Sequence, residues 1–161
     1  MSIKKSSFVC GLLGAMLLVP AVFAQGDTIS GALESAASTG QLEPDLVIVY
    51  DDLHGLHGGT AIEVSGDGEI RRRDVQRGQE SSTQKTLTPT ELQSLVRLLV
   101  EVEAWAQHNV HPPTVSDSSV AQLTIRWDDR EVGFWEPYNE MQTLGRLERV
   151  RTHLDSLLPA Q

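Results

Sequence analysis

Leu87-Thr88-Pro89-Thr90-Glu91-Leu92 decides how the rest of the chain is parsed. Thr88 is placed to accept from first-turn amides, Glu91 to reach back to the Thr88 N–H, and Pro89 to occupy the first helical position. Leu87 and Leu92 stand where a hydrophobic staple closes such a start. The spacing predicts a helix that presents Leu92, Leu95, Val96, Leu99 and Val102 along one stripe and ends near Trp105.

On either side of this helix the hydrophobic period changes from 3.6 to 2. Upstream, Thr60 to Ser65 and Glu69 to Val75 read as a hairpin around Gly66-Asp67-Gly68. A three-residue turn with left-handed Gly68 keeps Ile62, Val64 and Ile70 on one face and sets Glu63 opposite Arg71. Downstream, Ala121, Leu123, Ile125 and Trp127 alternate with polar positions. An Asp128-Asp129 turn then puts Ile125 opposite Val132, Leu123 opposite Phe134 and Arg126 opposite Glu131.

Farther out, Leu46-Val47-Ile48-Val49-Tyr50 reads as a buried lead strand, followed by the Gly-rich loop His54-Gly55-Leu56-His57-Gly58-Gly59. At the other end, Asn139 and Gln142 suggest a second capping box, with Leu144, Leu147, Val150, Leu154 and Leu158 at helical spacing and Pro159 as the stop. Arg146, Arg149 and Arg151 are read as lying toward the C-terminal half of that helix, where its dipole favours cations. The expected fold is α+β. It has about five mainly antiparallel strands, a lead strand and two hairpins, with two helices on one face, in the order β-ββ-α-ββ-α.

Residues 1–24 read as a secretory signal, with Lys4 and Lys5 ahead of the apolar run Phe8 to Phe23 and cleavage after Ala24. Cys10, the single Cys, lies inside it, and the run follows that residue instead of preceding it, unlike a lipoprotein signal. Residues 25–43 are rich in Ser, Ala, Gly, Thr and Gln and read as a flexible leader, or as a frayed helix with Ile29, Leu33 and Ala36 on one face. Residues 44–161 are expected to form a single domain.

The 161 residues include 22 Asp and Glu against 13 Lys and Arg, a net charge of −9. Cleavage removes two lysines and no acid, so the exported chain is more acidic still. Such a chain is a poor match for nucleic acid, which needs clustered cations. No later segment looks like a membrane span, so no membrane insertion is expected after cleavage. Arg71-Arg72-Arg73 reads as an exposed strand balanced by neighbouring acids.

The order of strand, Gly-rich loop, hairpin, L-[ST]-P-x-E-L helix, Asp-led hairpin and terminal helix resembles the small bacterial emfourin-like domains. The residues that carry it are Val47 to Gly59, Leu87 to Leu92, Asp117 to Phe134 and the C-terminal leucine stripe. The family's best-known member inhibits a thermolysin-like metalloprotease, so the resemblance implies a protease-inhibitor-like protein. Two departures are the paired histidines of the Gly-rich loop and a long insertion from Arg77 to Lys85. The resemblance carries over no functional residue.

Among groups able to do chemistry, Asp51-Asp52-Leu53-His54-Gly55-Leu56-His57 is the densest. Asp52, His54 and His57 would suit Zn, Ni, Cu or Fe, but their spacing is not the two-histidine helical pattern of a zincin. A solvated turn, with Asp capping local amides and Gly at positive φ, accounts for the same residues. His108 and His111, before Pro112-Pro113, are a second pair, better explained as a stiff connection. There is no nucleophile elbow, P-loop or dinucleotide fingerprint, so no cofactor is called for and an enzyme is the weaker reading.

Trp135-Glu136-Pro137-Tyr138-Asn139 offers aromatic anchors. Trp135 should point opposite Phe134, and burial along the seam between hairpin and last helix is the competing account. The functional expectation is an exported, soluble protein-binding module contacting another exported protein through His54, Leu56, His57, Trp135 and Tyr138. The alternative is a metal-binding exported protein, or a small hydrolase, using the Asp51 to His57 loop.

Overall fold

Strand parity and helical stripes assemble into a single antiparallel sheet covered by helices. A computed structural model describes residues 28–53, 58–108 and 120–158. The elements are α1 (Ile29–Thr39), β1 (Leu46–Asp51), β2 (Gly59–Ser65), β3 (Glu69–Gln76), β4 (Gln79–Thr86) and α2 (Pro89–Glu101). They continue as β5 (Val120–Trp127), β6 (Arg130–Pro137), α3 (Met141–Leu144) and α4 (Arg146–Leu157). The sheet order is β4-β3-β2-β1-β5-β6.

The α+β class stands, but the described residues form six strands and four helices where about five and two were expected. The lead strand lies at the centre of the sheet: β1 pairs with β2 on one side and with β5 on the other. Ile48 faces Val64 and Ile125, and Tyr50 faces Ile62 and Leu123. Val64 continues to Ile70, and Leu123 to Phe134. All of these are buried, so alternate residues of five strands make one apolar floor. Leu92, Leu95, Val96 and Leu99 of α2 and Leu147, Val150, Leu154 and Leu157 of α4 join the same core.

Both predicted hairpin registers hold. Glu63 pairs with Arg71 around a turn in which Gly68 has φ 84°, and Arg126 pairs with Glu131 at 2.8 Å. The Thr88 capping box is present, with Glu91 accepting from the Thr88 N–H at 2.8 Å. Helix α2 stops at Glu101, four residues before the expected end, and Val102 to Trp105 form turns.

Four expectations are corrected. The segment read as an insertion, Arg77 to Lys85, is mostly β4. Arg77 and Gly78, at φ 51° and 77°, make a two-residue turn of the kind that matches strand twist. Strand β4 has no apolar alternation; the β3 ladder forms it, not burial.

The segment read as a flexible leader contains α1, which is part of the core through Ile29, Ala32, Leu33 and Ala36. Thr28 caps its start and left-handed Gly40 its end, while Gln93 and Arg97 of α2 donate to the Ala37 carbonyl at 3.1 and 3.3 Å. Those partners lie almost sixty residues away, out of reach of a local reading.

No second capping box forms. Glu140 precedes α3 without a side-chain cap, and Gly145 at φ 77° separates α3 from α4. The Leu147 N–H in the first turn of α4 is satisfied instead by Glu136 of β6, at 3.2 Å.

Arg146 is the first residue of α4 and not near its C-terminus. Its guanidinium donates to the Val102, Glu103 and Ala106 carbonyls just past α2 and stacks over Phe134 at 3.9 Å. The dipole argument therefore applies to α2, since the cation sits on the carbonyls that directly follow that helix's C-terminal end.

Candidate functional site

The helix-facing side of the sheet is apolar at one end and polar at the other. Beyond Tyr50 on β1 comes Asp52, and beside it lie Thr60 and its cross-strand partner Asp74. Asp52, Thr60 and Asp74 are all buried. Buried polar atoms must be paired, and here they are paired with one another and with α4.

The Tyr50 hydroxyl donates to Asp52 Oδ2 at 2.9 Å, and the Thr60 N–H donates to Asp52 Oδ1. Arg151 of α4 approaches the same Oδ2 at 3.2 Å. Arg151 also lies 3.9 Å from Asp155, one helical turn on. Asp155 accepts from Arg72 at 2.6 Å, Arg72 donates to Asp74 at 2.6 Å, and Asp74 accepts from the Thr60 hydroxyl at 2.7 Å. Thr60 thus returns the path to Asp52, so the contacts form a closed ring. Three carboxylates alternate with two guanidiniums, joining β1, β2, β3 and α4.

The electrostatics follow from that packing. Burial, with Asp52 beside it, pushes the Tyr50 phenol above its ordinary pKa and keeps it a donor. The hydrogen bond to Asp74 raises Arg72. Burial works against the Arg151 cation, yet its hydrogen bond with Tyr138 and the charge of Asp52 raise its pKa overall.

Tyr138 stands above this ring on the turn after β6. At 45% exposure it is the one large hydrophobic side chain left open among the described residues. It separates two clefts, both also lined by Arg151. One, about 420 Å³, runs past Asp52, Gly58, Thr60 and Arg77. The other, about 710 Å³, runs past Met141, Gln142, Glu148 and Asp155.

His54, Leu56 and His57 lie outside the described residues, but the loop's return does not. Gly58 and Gly59 have φ 78° and 144°, and a Cβ on Gly58 would meet the Val75 carbonyl at 1.9 Å. Only glycine lets this return press against β3 at the rim of the first cleft. The acids before the loop have the turn role: Asp51 caps the Leu53 N–H at 2.8 Å and Asp52 that of Thr60.

The aromatic pair is divided between two sides. Phe134 and Glu136 are buried toward the helices, so half-buried Trp135 faces the other way along β6, while Tyr138 meets Arg151 of α4. Gln107 brackets the Trp135 backbone, accepting from its N–H at 2.9 Å and donating to its carbonyl at 3.2 Å. His108 pairs with Glu103 at 2.9 Å, both exposed; His111 lies outside the described residues. Trp105 and Trp127 are partly buried against the core.

Among the described residues no group of three His, Cys, Asp or Glu could hold a metal ion. No helix there is long and apolar enough to cross a membrane. Arg72 is not the exposed strand cation it was read as, since it turns inward to Asp74 and Asp155. The ring was missed by sequence reasoning. Its local traces are Tyr50 and Asp52, two apart at a strand end, Arg72 and Asp74, two apart on β3, and Arg151 and Asp155, four apart on a helix. No family model matches the chain, and no curated protein matches it.

Proposed function

We propose that this chain is an exported, soluble protein-binding module that contacts another exported protein around Tyr138 and the rim of the 54–57 loop. The observation that carries the reading is the exposed Tyr138 side chain, held by Arg151 over a buried ionic ring. A tyrosine between two clefts offers a large contact area with few rotatable bonds to freeze on binding, which is the character of an interface anchor. The resemblance to emfourin-like inhibitors makes an exported protease the first partner class to test. Trp135, on the other side of β6, belongs to a separate surface and leaves Tyr138 as the principal anchor.

The metal-binding or hydrolytic reading is weaker because Asp52 is already committed: Tyr50, the Thr60 N–H and Arg151 all engage its carboxylate. That reading then rests on His54 and His57.

The test is affinity capture from the native export fraction with the wild type, Tyr138→Ala and His54→Ala/His57→Ala, with and without chelator. A stoichiometric partner that Tyr138→Ala loses, by about 2 kcal/mol or more in affinity, supports the reading. Capture that chelator abolishes, or tight one-to-one metal binding lost in the double histidine variant, overturns it in favour of metal chemistry.

A further inference from the structure

The two edges of the sheet are treated differently. At the β6 edge the Gln107 amide occupies the outward N–H and C=O of Trp135, and Pro137 has no N–H to offer. At the β4 edge nothing among the described residues does this. The two-residue Arg77-Gly78 turn makes Gln76 and Gln79 a hydrogen-bonded pair, so bonding to β3 falls on Gln79, Ser81, Thr83 and Lys85. The Leu87 N–H, which bonds Gly68 at 2.9 Å, continues the same parity. Glu80, Ser82, Gln84 and Thr86 therefore turn their backbone N–H and C=O away from the sheet. The strand that carries them is eight residues long and holds no proline, and its one lysine, Lys85, is tied to Glu91 and the Leu157 carbonyl at 2.6 and 3.1 Å, so the usual devices for blunting an edge are not deployed there.

We infer that β4 pairs antiparallel with β4 of a second copy of this chain, about a two-fold axis through Thr83, extending the sheet across the dimer. The occupant follows from the strand's own charges. In this register Ser82 faces the copy's Gln84, Glu80 faces Thr86, Ser81 faces Lys85, and Thr83 faces Thr83. All four outward residues find backbone partners, and no like charges stand opposite one another, although the whole chain is strongly acidic. A foreign strand would need a matching pattern; a copy has it by symmetry. This surface is independent of the Tyr138 contact, so either can fail alone.

Sedimentation of the exported chain across a concentration series tests the inference. The wild type is expected at twice the monomer mass. Ser82→Pro deletes one outward N–H, leaves the β3 ladder intact and is expected to be a folded monomer. Ser82→Lys with Gln84→Lys sets lysines opposite lysines and is likewise expected to be monomeric. Ser82→Lys with Gln84→Glu sets opposite charges together and is expected to restore the dimer. A wild type that stays monomeric, a dimer that survives Ser82→Pro, or a Lys/Glu variant no more dimeric than Lys/Lys overturns the pairing.

Discussion

The Arg151 guanidinium lies 3.2 Å from the Asp52 carboxylate and so ties the last helix to the end of the first strand, a hundred residues earlier. Asp52 is 2% exposed, so its charge depends on that cation and on the Tyr50 and Thr60 donors.

Removing one partner of so buried a pair is expected to cost about 3–5 kcal/mol, so Asp52→Ala should lower the denaturation midpoint sharply. Adding Arg151→Met should cost much less than its own single effect, because the unpaired cation is then gone. A double-mutant cycle by chemical denaturation measures this. Simple additivity would mean that the two charges are not coupled.

Helix α1 contributes Leu33, which is fully buried. Leu33→Ala is expected to destabilise the chain by about 2–5 kcal/mol, as for other large-to-small core changes. A flexible leader would tolerate it without loss, so calorimetry separates the two.

Arg146 satisfies the carbonyls past α2, and Arg146→Met removes those charged hydrogen bonds while keeping most of the stem. The expected loss is about 1.5–3 kcal/mol. Hydrogen exchange should show the excess opening at the end of α2 and the start of α4 together. Exchange confined to α4 would refute the bridging role.

His153 places a buried Nε2 without a partner among the described residues, and burial lowers its pKa below 6.5. The depressed folded pKa means that this residue's contribution is intact above 6.5 and is lost as pH falls below it. His153→Leu should therefore flatten the decline of melting temperature between about pH 7 and 5. Parallel wild-type and variant curves would rule the residue out as a source of acid sensitivity.

Thr88 and Glu91 are three residues apart, and Leu123 and Phe134 are placed by one tight turn, so both relationships were legible from order and spacing. The candidate site was legible only in part. The sequence marks Tyr138 as a candidate anchor, with burial along the seam as the competing account, whereas the ring beneath it brings Arg72 to Asp155 across 83 positions. No local period encodes such a pair.

The sequence by itself determined the α+β class, both hairpin registers and the α2 cap, because each depends on side-chain parity or on contacts within about one helical turn. Tertiary structure alone decided that β5 docks on β1, that α1 joins the core, and that Glu136 and Arg146 serve helix ends distant in the chain. Those outcomes turn on which faces are buried together and which buried charges and orphan backbone groups then meet. That balance is settled only when the chain has closed on itself.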